Sequence, residues 1–517
     1  MGSIQTIVLA AVVGWIIGLF YQLWWKPFRL RKHYEKQGIQ GPPFRPLIGN
    51  LLELRRLTET VPPQASSLTE LSKRRVAPEL LSFFGSYGKV SVHEVGRKTR
   101  LLIVEAELAR EVLVTKASFY QKADLSREAF WRLLGKGLVF SEGDFWLKQR
   151  RILRPGFRHQ YLKVFFRVMN DACEDLVSKW QRKWENSNEC VDVEIEVSKE
   201  MSLLTLDIIS RALFGSNLGG KTHASEGAVA LECLSGLLNS SLRSSYSYKR
   251  LLPGYSHLPT LENWRTRGRE KFVNGLLEAI IHSRMTKRES VRNGEEDDIV
   301  GMMLDAVYEG SSTMSLSQLM HEAKTLFFAG HATTAIVLTW CLTLLSMNKE
   351  WQERARDEVQ RVYGEESFLD VRRLGELKIV GMILNETLRL YPPVPTMSRQ
   401  CMKPHHIGNI SMLPDTTVVI PVVLFHQSEE LWGKDAYLFK PERFENKEAK
   451  DLPGFMPFGG GPRICLGMNF AVMEAKVALS MLLKNFSFSL SPDYCHAPGL
   501  ASSMRPRYGV PLIVKRV

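Results

Sequence analysis

The segment of this 517-residue chain with the clearest chemical character is FGGGPRICLG, at residues 458–467. Its Cys465 is useful to a metal ion only as the thiolate, which backbone N–H groups at a helix start and a cation such as Arg463 favour. The glycines let the backbone approach a flat ligand, and residues 471–483 predict a helix behind the loop. A zinc site would need further Cys or His residues at short spacing, which the sequence lacks there. We therefore predict a thiolate ligand at Cys465; the alternative is a glycine-rich turn around a buried cysteine.

Two pairs of residues have the spacing of neighbours on a helix. Glu386 and Arg389 are three residues apart, just before a Tyr-Pro-Pro sequence that ends a helix, and taken alone they indicate a surface ion pair. Trp146 and Arg150 are four residues apart and, taken alone, fit one face of an amphipathic helix equally well. Neither spacing identifies a site without the cysteine segment.

A long apolar run predicts a helix that crosses the whole core. The sequence SLSQ at residues 315–318 has capping-box spacing and opens a run that reaches Met347, a helix of about thirty residues. In its middle, AGHATT at residues 329–334 contains a glycine and two threonines, which weaken helix propensity and bond back to carbonyls. We expect a local opening of the helix there that admits a small ligand.

The remaining patterns predict mainly helix with a minor sheet. Amphipathic runs, for example at residues 171–184 and 350–362, predict helices, and the runs at 100–104 and 416–423 predict short strands. The charged and polar stretch at 286–298 predicts a surface loop.

Together these segments resemble the cytochrome P-450 family. Residues 458–467 match its haem-binding loop, Phe-x-x-Gly-x-Arg-x-Cys-x-Gly, at every defining position, and the other motifs follow in family order between Trp146 and Gly467. The resemblance implies a mainly α fold with a minor β region, a single-domain prism with haem between the long helix and the cysteine loop. It also implies that Cys465 is the iron ligand, since the family's thiolate pushes electron density toward the iron.

The resemblance assigns roles to further residues. Trp146 and Arg150 match the family's Trp-x-x-x-Arg, which meets a haem propionate, and Arg399 resembles the arginine that contacts the other propionate. Glu386 and Arg389 interlock in this family with the arginine of a Pro-Glu-Arg-Phe sequence, found here at residues 441–444, and brace the haem loop. The implied sets are cofactor-binding Trp146, Arg150, Arg399, Arg463 and Cys465, structural Glu386, Arg389, Arg443 and Phe458, and substrate-lining Phe327, Ala329, Val394, Thr396, Met397 and a loop within residues 118–138.

Thr333 is the implied catalytic residue, and the position before it departs from the family pattern. The family has Ala/Gly-Gly-x-Asp/Glu-Thr-Thr in its long helix, where the threonine assists protonation of dioxygen and the acid delivers protons. This chain keeps Thr333 but has Ala332 at the acidic position, which puts the delivery route in question. His331 projects about 100° around the helix from Ala332, so we interpret it as a packed or water-bonded histidine.

Composition argues against other classes of protein. Hydrophobic residues make up 44% and charged residues 24%, which indicates a folded chain. The formal net charge is +13, but no zinc-finger spacing and no dense basic tract accompany it, so we predict no nucleic-acid partner. Seven cysteines form neither a CxxC pair nor a regular framework, which indicates a reducing compartment.

The N-terminus predicts a membrane anchor. Residues 4–25 carry no charge and, as a helix, span about 33 Å, enough to cross a bilayer. A cleaved signal peptide is the alternative, but no basic residue precedes the run. Basic residues follow it, so the positive-inside rule places the rest of the chain on the cytoplasmic side. The resemblance implies that the membrane is that of the endoplasmic reticulum. We expect an anchor at residues 4–25, a basic flank and proline-rich hinge at 26–50, and the haem domain at 51–517.

Electrons must come from another protein, because the chain has no Rossmann or flavin motif. The resemblance implies NADPH and a membrane-bound flavoprotein reductase, for which Lys148, Arg151, Arg154 and Arg158 form a basic landing face; a solvated helix face is the alternative. The proline hinge and the C-terminal tail resemble a plant clan that oxidises terpenoids, hormones and fatty acids.

Three hypotheses for the function follow from the sequence. The first is a monooxygenase that acts on an apolar small molecule. The second is a haem-thiolate isomerase or dehydratase that needs no reductase, suggested by Ala332. The third is a protein that binds haem without turnover.

Overall fold

The computed structural model describes residues 2–59, 61, 72–123, 135–157, 159–186, 192–215, 258–290, 298–308, 314–364, 366, 370–446, 448–500 and 503–517. Arg158 and residues 124–134, the middle of the expected substrate-lining loop, lie outside the described residues. So do Cys190 and Cys233, whereas the five described cysteines are free thiols.

Helices make up most of the described chain, as the sequence predicts. In chain order they are α1 Gly2–Phe20, α2 Lys26–Glu35, α3 Leu51–Glu59, α4 Lys73–Val76, α5 Pro78–Tyr87, α6 Ala106–Arg110, α7 Gly143–Leu153, α8 His159–Asn186, α9 Val197–Phe214, α10 Leu261–Ser290, α11 Ile299–Tyr308, α12 Leu316–Met347, α13 Lys349–Tyr363, α14 Lys378–Leu390, α15 Val422–His426, α16 Glu429–Trp432 and α17 Met468–Asn485. Two π-helical turns, Tyr21–Trp25 and Glu111–Thr115, continue α1 and α6.

The strands form small sheets beside the helices. They are β1 Val90–Val95, β2 Lys98–Ile103, β3 Tyr120–Lys122, β4 Val193–Glu196, β5 Met397–Cys401, β6 His405–Ile407, β7 Ile410–Met412, β8 Thr417–Ile420, β9 Phe486–Leu490, β10 Pro498–Leu500, β11 Met504–Pro506 and β12 Pro511–Arg516. The largest sheet has the order β1-β2-β8-β5-β3, in which only β2 and β8 pair in parallel. A second sheet has the order β4-β12-β9, and β6-β7 and β10-β11 are hairpins. The predicted fold class, mainly α with a minor β region, is confirmed.

The long helix α12 begins with the predicted capping box and packs against α9, α14 and α17. The Ser315 hydroxyl accepts the N–H of Gln318, whose side chain accepts the N–H of Ser315 in return. The predicted opening in its middle does not occur, because the helix is continuous from Leu316 to Met347. A Cβ on Gly330 would lie 2.6 Å from Ile209, so this glycine allows α9 to approach closely.

Two predicted boundaries require correction. The strand expected over residues 416–423 ends at Ile420, because Pro421 lacks the N–H of a sheet donor and stands at the start of α15. The loop expected over residues 286–298 begins later, because α10 continues through its charged end to Ser290.

The N-terminal helix is long and apolar enough to cross a membrane. The continuous helical stretch Ile4–Glu35 contains an 18-residue window of mean hydropathy 2.1, none of which is buried in the protein. The other helix that passes this test, Leu316–Met347, is a core helix with 72% of its window buried. An apolar helix that is not buried in the protein fits a membrane anchor.

The helical stretch docks on the globular body before the proline-rich segment begins. Tyr34 is fully buried, and its hydroxyl donates to Thr416 Oγ1 at 2.8 Å. Arg31 is 4% exposed and bonds to Glu94, the Val92 carbonyl and the Gly41 carbonyl. Residues 26–35, which the sequence assigns to the basic flank and hinge, therefore pack on the globular body.

Deleting residues 1–25 is expected to release most of the protein from membranes without loss of haem uptake. The deletion removes the unburied apolar helix but keeps Arg31 and Tyr34 on the body. A helix that spans a bilayer is inserted almost irreversibly, so its removal has a large effect on partitioning. The measurement is membrane flotation together with haem content. Deleting residues 1–35 is the matched control and should lower stability as well; loss of haem on the shorter deletion would contradict this account.

Candidate functional site

The cysteine loop holds Cys465 in front of helix α17. The Cys465 N–H donates to the Phe458 carbonyl at 3.0 Å, which closes the loop, and α17 begins at Met468 directly behind it. Cys465 is exposed to solvent, yet burial in the surrounding protein is the main influence on its pKa and raises it. Both observations hold for a side chain that protein surrounds on most sides and that opens to one cavity.

The loop alone does not produce the expected thiolate. The Gly467 N–H and the cations of Arg150 and Lys122 lower the pKa of Cys465, but burial outweighs them. Coordination to a metal ion deprotonates a thiol outright, so the metal would supply the remaining driving force. A backbone N–H acts on the sulfur as predicted, but the cations that do so are Arg150 and Lys122 and not the predicted Arg463.

Glycine is required in this loop by protein contacts as well as by a ligand. Gly461 has φ +64°, and a Cβ there would lie 2.1 Å from the Leu113 carbonyl oxygen in the π-helical turn Glu111–Thr115. Gly459 has φ +76°, and a Cβ there would only touch Met397 Sδ at 3.6 Å. Gly461 thus fixes the loop on its neighbour, which the motif alone does not reveal.

Helix α7 brings Trp146 and Arg150 to the same loop. Arg150 donates to the Ile464 carbonyl at 3.1 Å, one residue from Cys465. The Arg463 guanidinium lies 4.1 Å from the Trp146 ring centre, and the Arg150 guanidinium lies 5.6 Å from it. The indole, which is 8% exposed, therefore lies between two cations whose position it helps to fix.

Cys465 belongs to a cluster of four basic side chains with one carboxylate among them, in which Arg150 and Lys122 act on the sulfur directly. Burial lowers the pKa of Lys122 to about 7, with smaller contributions from Arg399 and Arg463, and Glu142 and Cys465 oppose this shift. Arg463 pairs with Glu142, and its Nη1 donates to the Ser141 carbonyl. Arg399 is 8% exposed, and burial lowers its pKa. With Arg150 beside the sulfur, the described part of this cluster carries an excess of positive charge.

This donor set fits a haem. An iron porphyrin carries one axial position for a sulfur ligand and two carboxylates that require cations, and the cluster supplies one accessible cysteine and four cations against a single acid. Because the excess of cations lies beside the sulfur, both needs are met at one place. A site for a metal ion alone would not need these cations.

One face of the long helix α12 remains partly accessible to solvent. Ala329, Ala332 and Thr333 are half-buried, whereas most of α12 after Gly330 is buried. These three residues lie at positions i, i+3 and i+4 and therefore share one helix face. The Thr333 hydroxyl donates to the Ala329 carbonyl at 2.8 Å, the back-bond that the sequence predicts. The pattern indicates a cavity along this face.

His331 is a packed histidine, as predicted. It is 3% exposed, and its Nδ1 lies 3.0 Å from the Phe327 carbonyl oxygen. Burial lowers its pKa to about 4, so the ring is neutral near pH 7 and cannot stand in for an acid.

The expected substrate-lining residues do not all lie together. Phe327 is 3% exposed and packs against Phe214 of α9, with ring centres 6.2 Å apart, away from the accessible face of Ala329. Val394 is 45% exposed, and Thr396 and Met397 are half-buried where the chain enters β5. Of these, Met397 contacts the cysteine loop at Gly459.

The Glu386–Arg389 pair is a buried brace and not a surface ion pair. Both side chains are fully buried, and two N–H groups of Arg389 donate to the Glu386 carboxylate, each at 2.7 Å. Arg443 lies 3.6 Å from the same carboxylate and donates to the Trp432 and Asp435 carbonyls. The third arginine thus stands where the family resemblance places it.

His426 connects this brace to the cysteine loop, a role with no signal in the sequence. Arg389 donates to the His426 carbonyl, and the Met456 N–H donates to His426 Nε2 at 2.9 Å. Because Nε2 accepts, Nδ1 carries the proton and donates to the Leu388 carbonyl. Burial lowers the pKa of His426 to about 3, which keeps this tautomer neutral.

Sequence reasoning also missed Lys122 and Glu142. Lys122 ends β3, whose partner β5 pairs it directly with Arg399. Glu142 stands before α7 and accepts the Lys122 N–H at 2.8 Å. These contacts form only because strands from distant segments pair, so the local sequence around Lys122 and Glu142 does not indicate their role.

Comparisons with known proteins agree with this geometry. The family model described as cytochrome P450 matches residues 39–507. Cytochrome P450 CYP72A616 of Paris polyphylla is 35% identical, with 98% of each chain covered. The 7-deoxyloganic acid hydroxylase of Catharanthus roseus is 35% identical over 97% of this chain and 96% of its own. The 11-oxo-beta-amyrin 30-oxidase of Glycyrrhiza uralensis is 34% identical over 99% and 98%. The chain therefore belongs to the cytochrome P450 family and is a haem-thiolate monooxygenase.

Proposed function

We propose that this enzyme oxidises an apolar, terpenoid-type small molecule with Cys465 as the iron ligand. The observation that carries the proposal is the accessible cysteine in one cluster with the cations of Lys122, Arg150, Arg399 and Arg463. Two relatives named for terpenoid oxidation, the 7-deoxyloganic acid hydroxylase and the 11-oxo-beta-amyrin 30-oxidase, support the substrate class.

Bound haem supplies reductive activation of dioxygen, and the chain's own residues supply the surroundings. Cys465 would hold the iron, and the cations of Arg150, Arg399, Arg463 and Lys122 would bind the propionates. The apolar face of α12 excludes water from most of the cavity and receives the substrate. The Thr333 hydroxyl donates its one proton to the Ala329 carbonyl, and its oxygen can accept a hydrogen bond from a water molecule on this face.

We propose that NADPH-derived electrons arrive from a separate flavoprotein reductase at the cytoplasmic face of the endoplasmic reticulum. Lys148, Arg151 and Arg154 are exposed on and just after α7, whose other face carries Trp146 and Arg150 to the cysteine loop. A basic surface beside the ligand loop favours an acidic electron donor. The unburied apolar helix at the N-terminus supports placement on a membrane that such a reductase shares.

The proposal is tested with full-length protein in lipid nanodiscs, a plant NADPH-dependent reductase, and two probes, an iridoid acid and a pentacyclic triterpenoid. We expect one probe to displace water from the iron, seen as a spectral shift, and to gain one oxygen atom only when NADPH and reductase are present. A product formed without NADPH or reductase would instead establish the isomerase or dehydratase. Haem binding without oxygen consumption on either probe, despite reductase, would favour the non-catalytic alternative.

Thr333→Ala is expected to divert electrons to hydrogen peroxide. The chain lacks an acid at position 332, so the Thr333 hydroxyl is the polar group of the accessible helix face on which proton delivery depends. Positioned proton transfer is worth about 10² to 10⁴ in rate, so coupling should fall by about 10² or more. The measurement is peroxide formed per NADPH consumed, which needs no identified product.

Thr339→Ala is the matched control for this substitution. Thr339 lies on the same helix, makes the same back-bond to a carbonyl at 2.7 Å, and is 2% exposed within the core. It should leave the peroxide ratio unchanged. An unchanged ratio in Thr333→Ala would remove the role assigned to Thr333 and strengthen the rearrangement alternative.

A further inference from the structure

A buried carboxyl near the start of α12 has a single hydrogen-bond partner among the described residues. Glu322 is fully buried, and its Oε2 accepts the Leu138 N–H at 2.9 Å. Its Oε1 has no hydrogen-bond partner in the described part of the chain. Burial raises the pKa of Glu322 to about 7, and the Leu138 N–H opposes this shift. Burial of a carboxyl is unfavourable, so the group needs a structural or functional reason.

Glu322 contacts a loop that fits closely against α12. We call residues 135–142 the latch loop. A Cβ on Gly137 would lie 2.1 Å from Thr325 Oγ1, and a Cβ on Gly135, where φ is +69°, would lie 2.1 Å from the His321 ring. Only glycine therefore allows the latch loop to touch the helix at these two positions. The close fit gives the latch loop one defined position on α12, and the hydrogen bond from Leu138 to Glu322 forms in that position.

The other end of the latch loop reaches the cation cluster. The Ser141 carbonyl accepts Arg463 Nη1 at 2.9 Å, and the Glu142 carboxylate pairs with the same guanidinium. Within the loop, the N–H groups of Phe140 and Ser141 both donate to the Gly137 carbonyl, which makes the segment a compact turn. A displacement at Leu138 would therefore be transmitted to the residues that hold Arg463.

Helix periodicity places Glu322 on the face that carries Ala329 and Thr333. At 100° per residue, positions 322, 329 and 333 fall within about 20° of one direction, and Glu322 lies about 16 Å along the axis from Thr333. The carboxyl is thus too far away to serve Thr333 directly. Its role has to act through the loop that it holds.

We propose that Glu322 is a positioning residue that holds the latch loop against α12 through the Leu138 N–H, so that Ser141 and Glu142 keep Arg463 oriented in the cation cluster. The hydrogen bond by which Glu322 positions the latch loop does not depend on any cofactor. The consequence for Arg463 rests on the proposed function, in which this arginine faces a haem propionate.

Hydrogen–deuterium exchange of the full-length protein tests the hold on the loop. Glu322→Leu removes the acceptor, and we expect peptides covering residues 135–142 to exchange about tenfold faster, the effect of losing one buried hydrogen bond. Glu322→Gln keeps an acceptor oxygen and should stay within about twofold of the wild type. If the Leu variant does not accumulate, Glu322→Met removes the acceptor with an unbranched side chain.

Glu79→Leu is the matched control for removing a buried carboxyl. Glu79 is 4% exposed, burial raises its pKa to about 7, and it lies on α5. This variant should leave exchange in the latch loop unchanged. Unchanged exchange in Glu322→Leu, or equal acceleration in Glu322→Leu and Glu322→Gln, would overturn the proposal.

The rate of haem transfer from the holoprotein to apomyoglobin tests the link to Arg463. We expect Glu322→Leu to release haem several-fold faster than Glu322→Gln, because the propionate cation is less well held. Faster exchange without faster haem release would refute the link to Arg463. A wild-type protein that binds no haem would instead refute the proposed function. The exchange result would still decide whether Glu322 positions the latch loop.

Discussion

A Cys465→Ser protein will lose the absorption of a thiolate-ligated ferrous carbonyl and nearly all turnover. Serine keeps the size of the side chain, but a neutral hydroxyl is a far weaker electron donor to iron than a thiolate. The cations of Arg150, Arg399, Arg463 and Lys122 are unchanged, so some haem should remain bound through its propionates. We expect NADPH-dependent turnover to fall by at least about 10³-fold, as for loss of a residue that acts directly in the reaction. The measurements are the carbonyl spectrum and product formation with reductase.

Cys495→Ser is the control for cysteine loss in general. Cys495 is a half-buried free thiol outside the cysteine loop, and its replacement should leave both the spectrum and turnover unchanged. A thiolate-type carbonyl spectrum in Cys465→Ser would mean that another residue holds the iron.

Glu386→Gln is expected to prevent accumulation of stable holoprotein. The substitution leaves the fully buried guanidinium of Arg389 without its carboxylate. The single amide oxygen of Gln cannot replace both carboxylate oxygens, which together serve Arg389, Arg443 and the Lys440 N–H. Breaking a buried ion pair in this way costs about 3–5 kcal/mol, a large part of the stability of most domains. Because Arg389 also bonds to the His426 carbonyl, the effect should extend to the Met456 N–H and the cysteine loop. The measurement is the denaturant midpoint together with haem content.

Arg372→Ala provides a contrast on the surface. Arg372 pairs with Asp370 at 2.5 Å, but its side chain is 86% exposed, and such pairs add little to stability. Its loss should leave the midpoint and haem content unchanged. A Glu386→Gln protein as stable as Arg372→Ala would show that the buried triad does not brace the loop.

The sequence predicts the parts of this molecule that depend on local patterns. The capping box at Ser315 and Gln318 and the back-bond of Thr333 follow from spacing along one helix, and the structure has them. The fold class follows from the many amphipathic runs and few strand-like ones. The expectation that Glu386 and Arg389, taken alone, form a surface pair fails because burial depends on the helices packed around them.

The remaining features depend on contacts between distant segments. Lys122 joins the cation cluster only because β3 pairs with β5, and His426 serves the cysteine loop only because α15 lies beside it. Gly330 suggests a weak point in the helix when read alone, but its contact with Ile209 shows that it serves close packing. The raised pKa of Cys465 likewise reflects burial, which the residue types of its own loop do not reveal.

Iron K-edge X-ray absorption of the wild-type full-length protein tests the central claim most directly, since it detects the atoms bound to the metal. The account predicts one sulfur neighbour at the iron together with the porphyrin nitrogens, and no sulfur neighbour in the Cys465→Ser protein. An iron environment of nitrogen and oxygen alone in the wild type, or a sulfur neighbour that persists after Cys465→Ser, would contradict it.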